Sequence, residues 1–339
     1  MTPVSLRFDF ASDNVAGAAP EALDALIAAN RGMAVSYGGD HVTARAADLV
    51  RGLLDADADV RFVGSGTAAN ALSLAALCRP FEAVLAHEYA HVATDETGAP
   101  GLFGHGLGMV PLAGASGRID PAALAEALAQ PDVSHRQSPA VLSLTQASEF
   151  GTLYSPAAIT ELTGQARARG LGVHLDGARL ANAIAAGFDP KSIRSLGVDI
   201  LIVGGAKAGM TPSEAIVLLD PALSRRFDAR LKQVGQLPSK SRFYSAPWIG
   251  MLESGAFTGR ARHANAMASA LAAACPFPLA HPVEANAVFV DMDEAARLRL
   301  AEAGWAVYRF LDGSVRLMCS WATTPQAVEA ITAAMRAIK

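Results

Sequence analysis

The feature that most constrains this chain is a rhythm of short, almost continuous apolar runs: VRFVG (60–64), AVLAH (83–87), AVLSLT (140–145), GVHLD (172–176) and DILIVG (199–204). Each is followed by an Ala- and Leu-rich stretch of helical length. Runs without polar alternation need cover on both faces, which predicts strands of a mostly parallel sheet sandwiched between helices. The regular exchange of strand and helix makes this a doubly wound α/β domain over residues 46–250.

After Pro247 the pattern changes. An Ala-rich helix from Arg260 to Ala274, short strands near 287–291, 306–310 and 315–319, and a helix after Pro325 predict a smaller α+β domain over 251–339. Residues 1–45 hold a helix from Pro20 to Arg31 and a loop, Tyr37-Gly38-Gly39-Asp40, expected to pack on the small domain or a neighbouring subunit. A length of 339 residues suits one large and one smaller domain.

The formal charge of −4, with no long Lys/Arg run, argues against nucleic acid or an anionic membrane as partner and leaves small molecules as the expected ligands. Cys78, Cys275 and Cys319 share no CxxC spacing and read as reduced core thiols. The start of the chain has no apolar signal-peptide core, and no segment has the length of a membrane span, so a cytoplasmic location is expected.

Three signals carry chemistry. Gly64-Ser65-Gly66-Thr67 follows a strand and opens a helix, where backbone N–H groups and the helix N-terminus can bind phosphate. Ser65 and Thr67 also suit ordinary N-caps. His174-Leu175-Asp176-Gly177-Ala178-Arg179 puts a carboxylate at the carboxyl end of a strand, where open α/β sheets bind ligands; a second N-cap is the alternative. Gly204-Gly205-Ala206-Lys207-Ala208-Gly209 then sets one lysine among small residues, as an amine needs when it must condense with an aldehyde. Asp176 and Lys207 are 207 − 176 = 31 residues apart, room for one helix and one strand. A phosphate cradle, an acid for a pyridine nitrogen and a lysine for a Schiff base are the three needs of pyridoxal phosphate (PLP).

Along nearly its whole length the chain resembles the low-specificity threonine aldolases of PLP fold type I and their relatives, the phenylserine aldolases. The matching stretches are FASDNVAGAAPE, SYGGDHVTA, GSGTAAN, HEYAHVATDETGAP, SLTQASEFG, HLDGARLANA, GGAKAGM, KQVGQLPSKSRF and VRLMCSW. The resemblance implies that Lys207 carries the cofactor, Asp176 pairs with its pyridine nitrogen, His91 stacks on its ring, and Ser65, Gly66 and Thr67 bind its phosphate. It further implies that Arg179 and Arg316, with Ser12, hold the substrate carboxylate, and that His135 sits near the β-hydroxyl as base, alone or through a water shared with His91. Tyr37 and Lys240 are expected to reach a neighbour's site in a homotetramer built from dimers. Two positions depart from the family: Ala206 removes a hydroxyl from the phosphate site, with Lys240 the compensating group, and Thr97 replaces a common cysteine.

His87 and His91 are spaced as half a metal site, but no further ligand completes it and no metal is expected. His41, His105, His263 and His281 read as surface or packing residues, His174 as buried in its strand, and Trp248 and Met251 as core. Arg316, in an apolar strand, must meet an anion: the substrate carboxylate or an internal acid. The expected reaction is retro-aldol cleavage of L-threonine, L-allo-threonine and related β-hydroxy-α-amino acids to glycine and an aldehyde. Phenylserine cleavage, β-elimination and transamination are alternatives on the same scaffold, a noncatalytic homologue is the non-enzyme alternative, and a nicotinamide enzyme lacks its GxGxxG motif.

Overall fold

The computed structural model describes residues 6–339. Seven strands form the large sheet: β1 (Asp59–Val63), β2 (Glu82–His87), β3 (Gly108–Leu112), β4 (Ser138–Thr145), β5 (Gly172–Gly177), β6 (Ile200–Gly204) and β7 (Glu214–Leu218). Their order is β1-β7-β6-β5-β4-β2-β3. Strands β3, β2, β4, β5 and β6 run parallel, and β7 is antiparallel to both of its neighbours. The apolar runs are covered on both faces as expected, with every residue of β6 and β7 buried.

Two strands escaped the sequence reading for different reasons. β3 carries Pro111, which sheets accept on an edge, and β3 is an edge strand. β7 returns from β6 after only nine residues, too short for the helix that the rhythm elsewhere supplies. The helix Gly66–Leu77 starts where the Ser65 hydroxyl accepts the N–H of Ala68, 3.2 Å away, and it is buried along almost its whole length. That single cap aims the helix N-terminus at the carboxyl ends of the parallel strands.

A second, antiparallel sheet of order β8-β10-β9 follows, from β8 (Ala287–Val290), β9 (Tyr308–Arg309) and β10 (Val315–Met318). It has its own core of Val288, Val290, Leu317 and Ile331, to which Phe10 belongs. The N-terminal segment joins both parts. Arg7 pairs with Trp305 beside the small sheet, the Met318 N–H donates to Phe10, and the helix Pro20–Ala29 packs against the helix Arg242–Glu253. Pro247 lies buried inside that last helix, and the next helix, Ala256–Ala274, begins beyond it. No helix among the described residues is long and apolar enough to cross a membrane.

Candidate active site

The carboxyl ends of β4, β5 and β6 lie side by side, with Thr145 opposite Asp176 and Asp176 opposite Ile202. Asp176, 3% exposed, accepts the Ala178 N–H (2.8 Å) on one oxygen and the Asn70 side-chain amide (2.8 Å) on the other. Among the described residues it has no cationic partner. A buried carboxylate held by neutral donors alone stands ready for a cation or a protonated ring nitrogen.

The chain leaves β6 through Gly204 and Gly205, where a Cβ would meet the Ala178 carbonyl at 2.2 Å and the Ser213 carbonyl at 2.3 Å. The glycines before Lys207 are therefore required by backbone contact. The Glu214 carboxylate, at the start of β7, accepts the Gly205 N–H at 2.7 Å and pins the turn. Burial first, and then the charge of Asp176, push Glu214 up to about 7, against the charge of Lys207. Lys207 itself sits in a single 3-10 turn and makes no hydrogen bond or ion pair with any described residue.

His91 opens the short helix His91–Thr94, and its Nδ1 meets Glu96 Oε1 at 2.9 Å. That oxygen also accepts from Asn70 at 2.9 Å, so His91, Glu96, Asn70 and Asp176 form one hydrogen-bonded chain. The bond to Glu96, helped by the charge of Asp176, raises the His91 imidazole above its ordinary range despite burial. At the phosphate-type loop Gly64 donates to Gln236 (3.0 Å), and a Cβ there would meet the Tyr244 hydroxyl at 2.9 Å. Ser65 caps the helix, and Gly66 and Thr67 occupy its first turn. The N-cap reading of that loop holds, and the first-turn N–H groups of the same helix are where a phosphate would bind.

A cleft is lined by Ser12, Asn14, His91, Asp95, Glu149, Arg179, Lys207, Tyr308 and Arg316. Its two arginines differ. Arg179 donates from Nε (2.7 Å) and Nη2 (3.0 Å) to buried Asp13, which Asn286 also holds. Burial would raise the Asp13 carboxyl, but the charge and hydrogen bonds of Arg179 outweigh it and keep it below the usual range. Arg179 thus spends its Nε and Nη2 donors on an internal acid while its side chain still lines the cleft. Arg316 has no acid: Nη2 donates to the Tyr308 hydroxyl, the rings of Tyr308 and Phe310 lie 5.1 and 5.4 Å from the guanidinium, and Nε is buried without a partner. Burial, with Arg179 nearby, lowers its pKa from the usual value. Of the two anions open to Arg316, the internal one is absent among the described residues.

Three expected residues lie elsewhere. His135 is exposed in the loop before Ser138, at the amino end of β4, while the cleft is at the carboxyl end. Eight strand residues separate the two edges, on the order of 25 Å, so the chain does not bring His135 to its own cleft. Tyr37 and Lys240 stand in neighbouring loops joined by the Tyr37 N–H to the Ser239 carbonyl (3.1 Å), outside the cleft, with Lys232 over the Tyr37 ring at 4.2 Å. Both nitrogens of His87 are engaged, with the Gly114 carbonyl and the Tyr89 N–H. His174 is fully buried against Ser143 (2.9 Å), and burial lowers it to about 4.

The sequence reading passed over Asn70, Glu96, Asp13, Glu149, Glu214 and Tyr308. Four of the six lie inside quoted motifs, Asp13 in FASDN, Asn70 in GSGTAAN, Glu96 in HEYAHVATDET and Glu149 in SLTQASEFG, but only the tertiary pairing shows their partners. The donor set fits PLP on structural grounds: a buried acid without a cation, a lysine without a partner and a helix N-terminus facing the same edge. Buried Asn70 Oδ1 and Glu96 Oε2 also lack partners there.

Comparison with known proteins follows the same lines. Residues 9–295 match the family described as beta-eliminating lyase. A low specificity L-threonine aldolase from a Pseudomonas species is 44% identical over 337 residues, covering 97% of each chain, and one from Pseudomonas aeruginosa is 43% identical over the same span. The solved threonine aldolase of Leishmania major superposes with a TM-score of 0.90 at 29% identity, covering 97% of this chain and 98% of the other.

Proposed function

The chain belongs to the low-specificity L-threonine aldolases within the beta-eliminating lyase family, and on that premise we propose how its residues divide the work. The enzyme is a PLP-dependent carbon–carbon lyase that cleaves L-threonine to glycine and an aldehyde. When bound, the cofactor joins the substrate amine and draws off the electron pair released at Cα. Lys207 would hold the cofactor between turnovers, and its amine would release the product. Asp176, kept in place by Asn70 and Ala178, would hold the protonated pyridine nitrogen. His91, fixed by Glu96, would pack on the ring, and Gly66 and Thr67 would hold the phosphate with first-turn N–H groups beside Ser65.

The observation that carries this reading is the coexistence, in one cleft, of an amine and a guanidinium that the chain leaves without acidic partners, Lys207 and Arg316. Arg316, with Ser12, binds the substrate carboxylate; Arg179 anchors Asp13 and supports the same wall. Fixing the carboxylate orients the Cα–Cβ bond for cleavage. In this reading the substrate range extends to L-allo-threonine and related β-hydroxy-α-amino acids. The enzyme is cytoplasmic and a homotetramer of paired dimers, with Tyr37 and Lys240 reaching a neighbouring copy's cleft. Incubation with L-threonine should give glycine and acetaldehyde in equal amounts; pyruvate or a transferred amino group would overturn the aldolase reading.

A further inference from the structure

With His135 at the far edge of its own sheet, the base that cleavage needs is to be sought among the groups that line the cleft. Removing the proton from the β-hydroxyl turns the Cβ–O bond into a carbonyl, and some group must accept that proton. The cleft contains two carboxylates besides its histidine. Asp95 is exposed to water. Glu149 is only 8% exposed. Its Oε1 accepts the His91 N–H (2.9 Å) and the Thr145 hydroxyl (3.1 Å), which fix the carboxyl plane, while Oε2 is buried and unpartnered.

We infer that Glu149 is a catalytic residue whose Oε2 accepts the β-hydroxyl proton of the substrate during Cα–Cβ cleavage. The inference rests on the aldolase reading above. In the step, the O–H bond breaks and its proton forms a bond to Oε2. The O–H electron pair closes the C=O of the departing aldehyde, and the Cα–Cβ pair stays with the glycine fragment on the electron sink already named. No further oxidant or reductant is needed, and Glu149 returns the proton to solvent when the aldehyde leaves.

His91 is less suited, because its Nδ1 is taken by Glu96. The groups facing Glu149 are His91 from its short helix, Thr145 at the end of β4, Asp176 at the end of β5, Arg179 beyond it, Tyr154, and Lys207 and Arg316 across the cleft. Burial, with Asp176 adding to it, pushes Glu149 up to about 7, where a carboxylate is a far better base than in water. Cleavage should therefore fall as pH drops through 7.

The test compares two reactions of the PLP-loaded enzyme. Cleavage of L-threonine needs the β-hydroxyl base. Exchange of the glycine α-proton with D2O, followed by NMR, needs the cofactor, Lys207 and the carboxylate grip but has no β-hydroxyl. Glu149→Gln keeps volume and an acceptor for the His91 N–H. It should lower kcat for threonine by about 100-fold or more, erase the acid limb of the pH profile, and leave glycine exchange and the cofactor absorption band within twofold of wild type. Glu149→Asp, which retains a carboxylate, should recover part of the cleavage with exchange unchanged, and carries the test if the Gln protein folds poorly. Cleavage within threefold of wild type, or cleavage and exchange falling together, would overturn the inference. The wild-type products test the aldolase reading separately, since that depends on glycine and acetaldehyde and not on the variant ratio.

Discussion

Asp176 and Asp199 stand at opposite ends of adjacent strands and are both buried, yet their surroundings are opposite. Asp199, just before β6, accepts from the Arg167 guanidinium and from the Val173 N–H at 2.7 Å, so its charge is matched within the chain. Asp176, at the end of β5, has only neutral donors. At the amino edge Asp199 is matched within the chain, whereas the cleft at the carboxyl edge is lined by Lys207, Arg316 and Glu149, whose amine, Nε and Oε2 have no partner among the described residues. A missing partner at one edge marks function because the other edge shows that this fold can supply partners where it needs them.

The strongest way to break that contrast is Lys207→Ala. Threonine cleavage should drop by about 10^4-fold or more and the cofactor absorption band should disappear, with little change in the melting temperature of the cofactor-free protein. Steady-state kinetics and a visible spectrum check it. A next, smaller effect is expected at the carboxylate grip: Arg316→Ala should raise KM for threonine by about 10- to 100-fold, the range of one charged hydrogen-bonded pair. Arg179→Ala should instead destabilise the protein, because it strands buried Asp13, and chemical denaturation will separate the two.

A subtler contrast concerns the turn that presents Lys207. Glu214 is raised in the folded state, from the usual 4.5 to about 7. Between those values the folded protein keeps a proton that the unfolded chain has lost, so Glu214 favours folding at low pH and this contribution fades as pH rises through 7. Glu214→Gln should remove that decline. Relative to wild type, the variant should gain up to about 3 kcal/mol between pH 4.5 and 8, measured by urea denaturation of the cofactor-free protein.

Five strands of the large sheet and the three chemical signals are legible because each is local. An apolar run ends in Asp176 or leads into Lys207, and the turn residues follow at once. What the sequence hid depends on distance along the chain. Asn70 meets Asp176 across 106 residues, His91 meets Glu149 across 58, and Arg179 meets Asp13 across 166. Nothing local to Arg179 shows that it pairs with Asp13, which stands near the amino terminus. His135 precedes its strand, and a strand has two ends, so its motif does not show that it stands at the end away from this chain's own cleft. The glycines beside Lys207 were read as room for an amine. They serve contacts with the Ala178 and Ser213 carbonyls.

The central claim is that the carboxyl edge is unfinished because a ligand completes it, and paired substitutions at the two aspartates test it directly. Melting temperatures of Asp176→Asn and Asp199→Asn should be measured without PLP and with saturating PLP. The account predicts that Asp199→Asn lowers both by a similar amount, while Asp176→Asn leaves the cofactor-free value near wild type and loses most of the stabilisation PLP confers. If Asp176→Asn destabilised the cofactor-free protein as much as Asp199→Asn and kept the full response to PLP, Asp176 would be a structural residue and the account would fail.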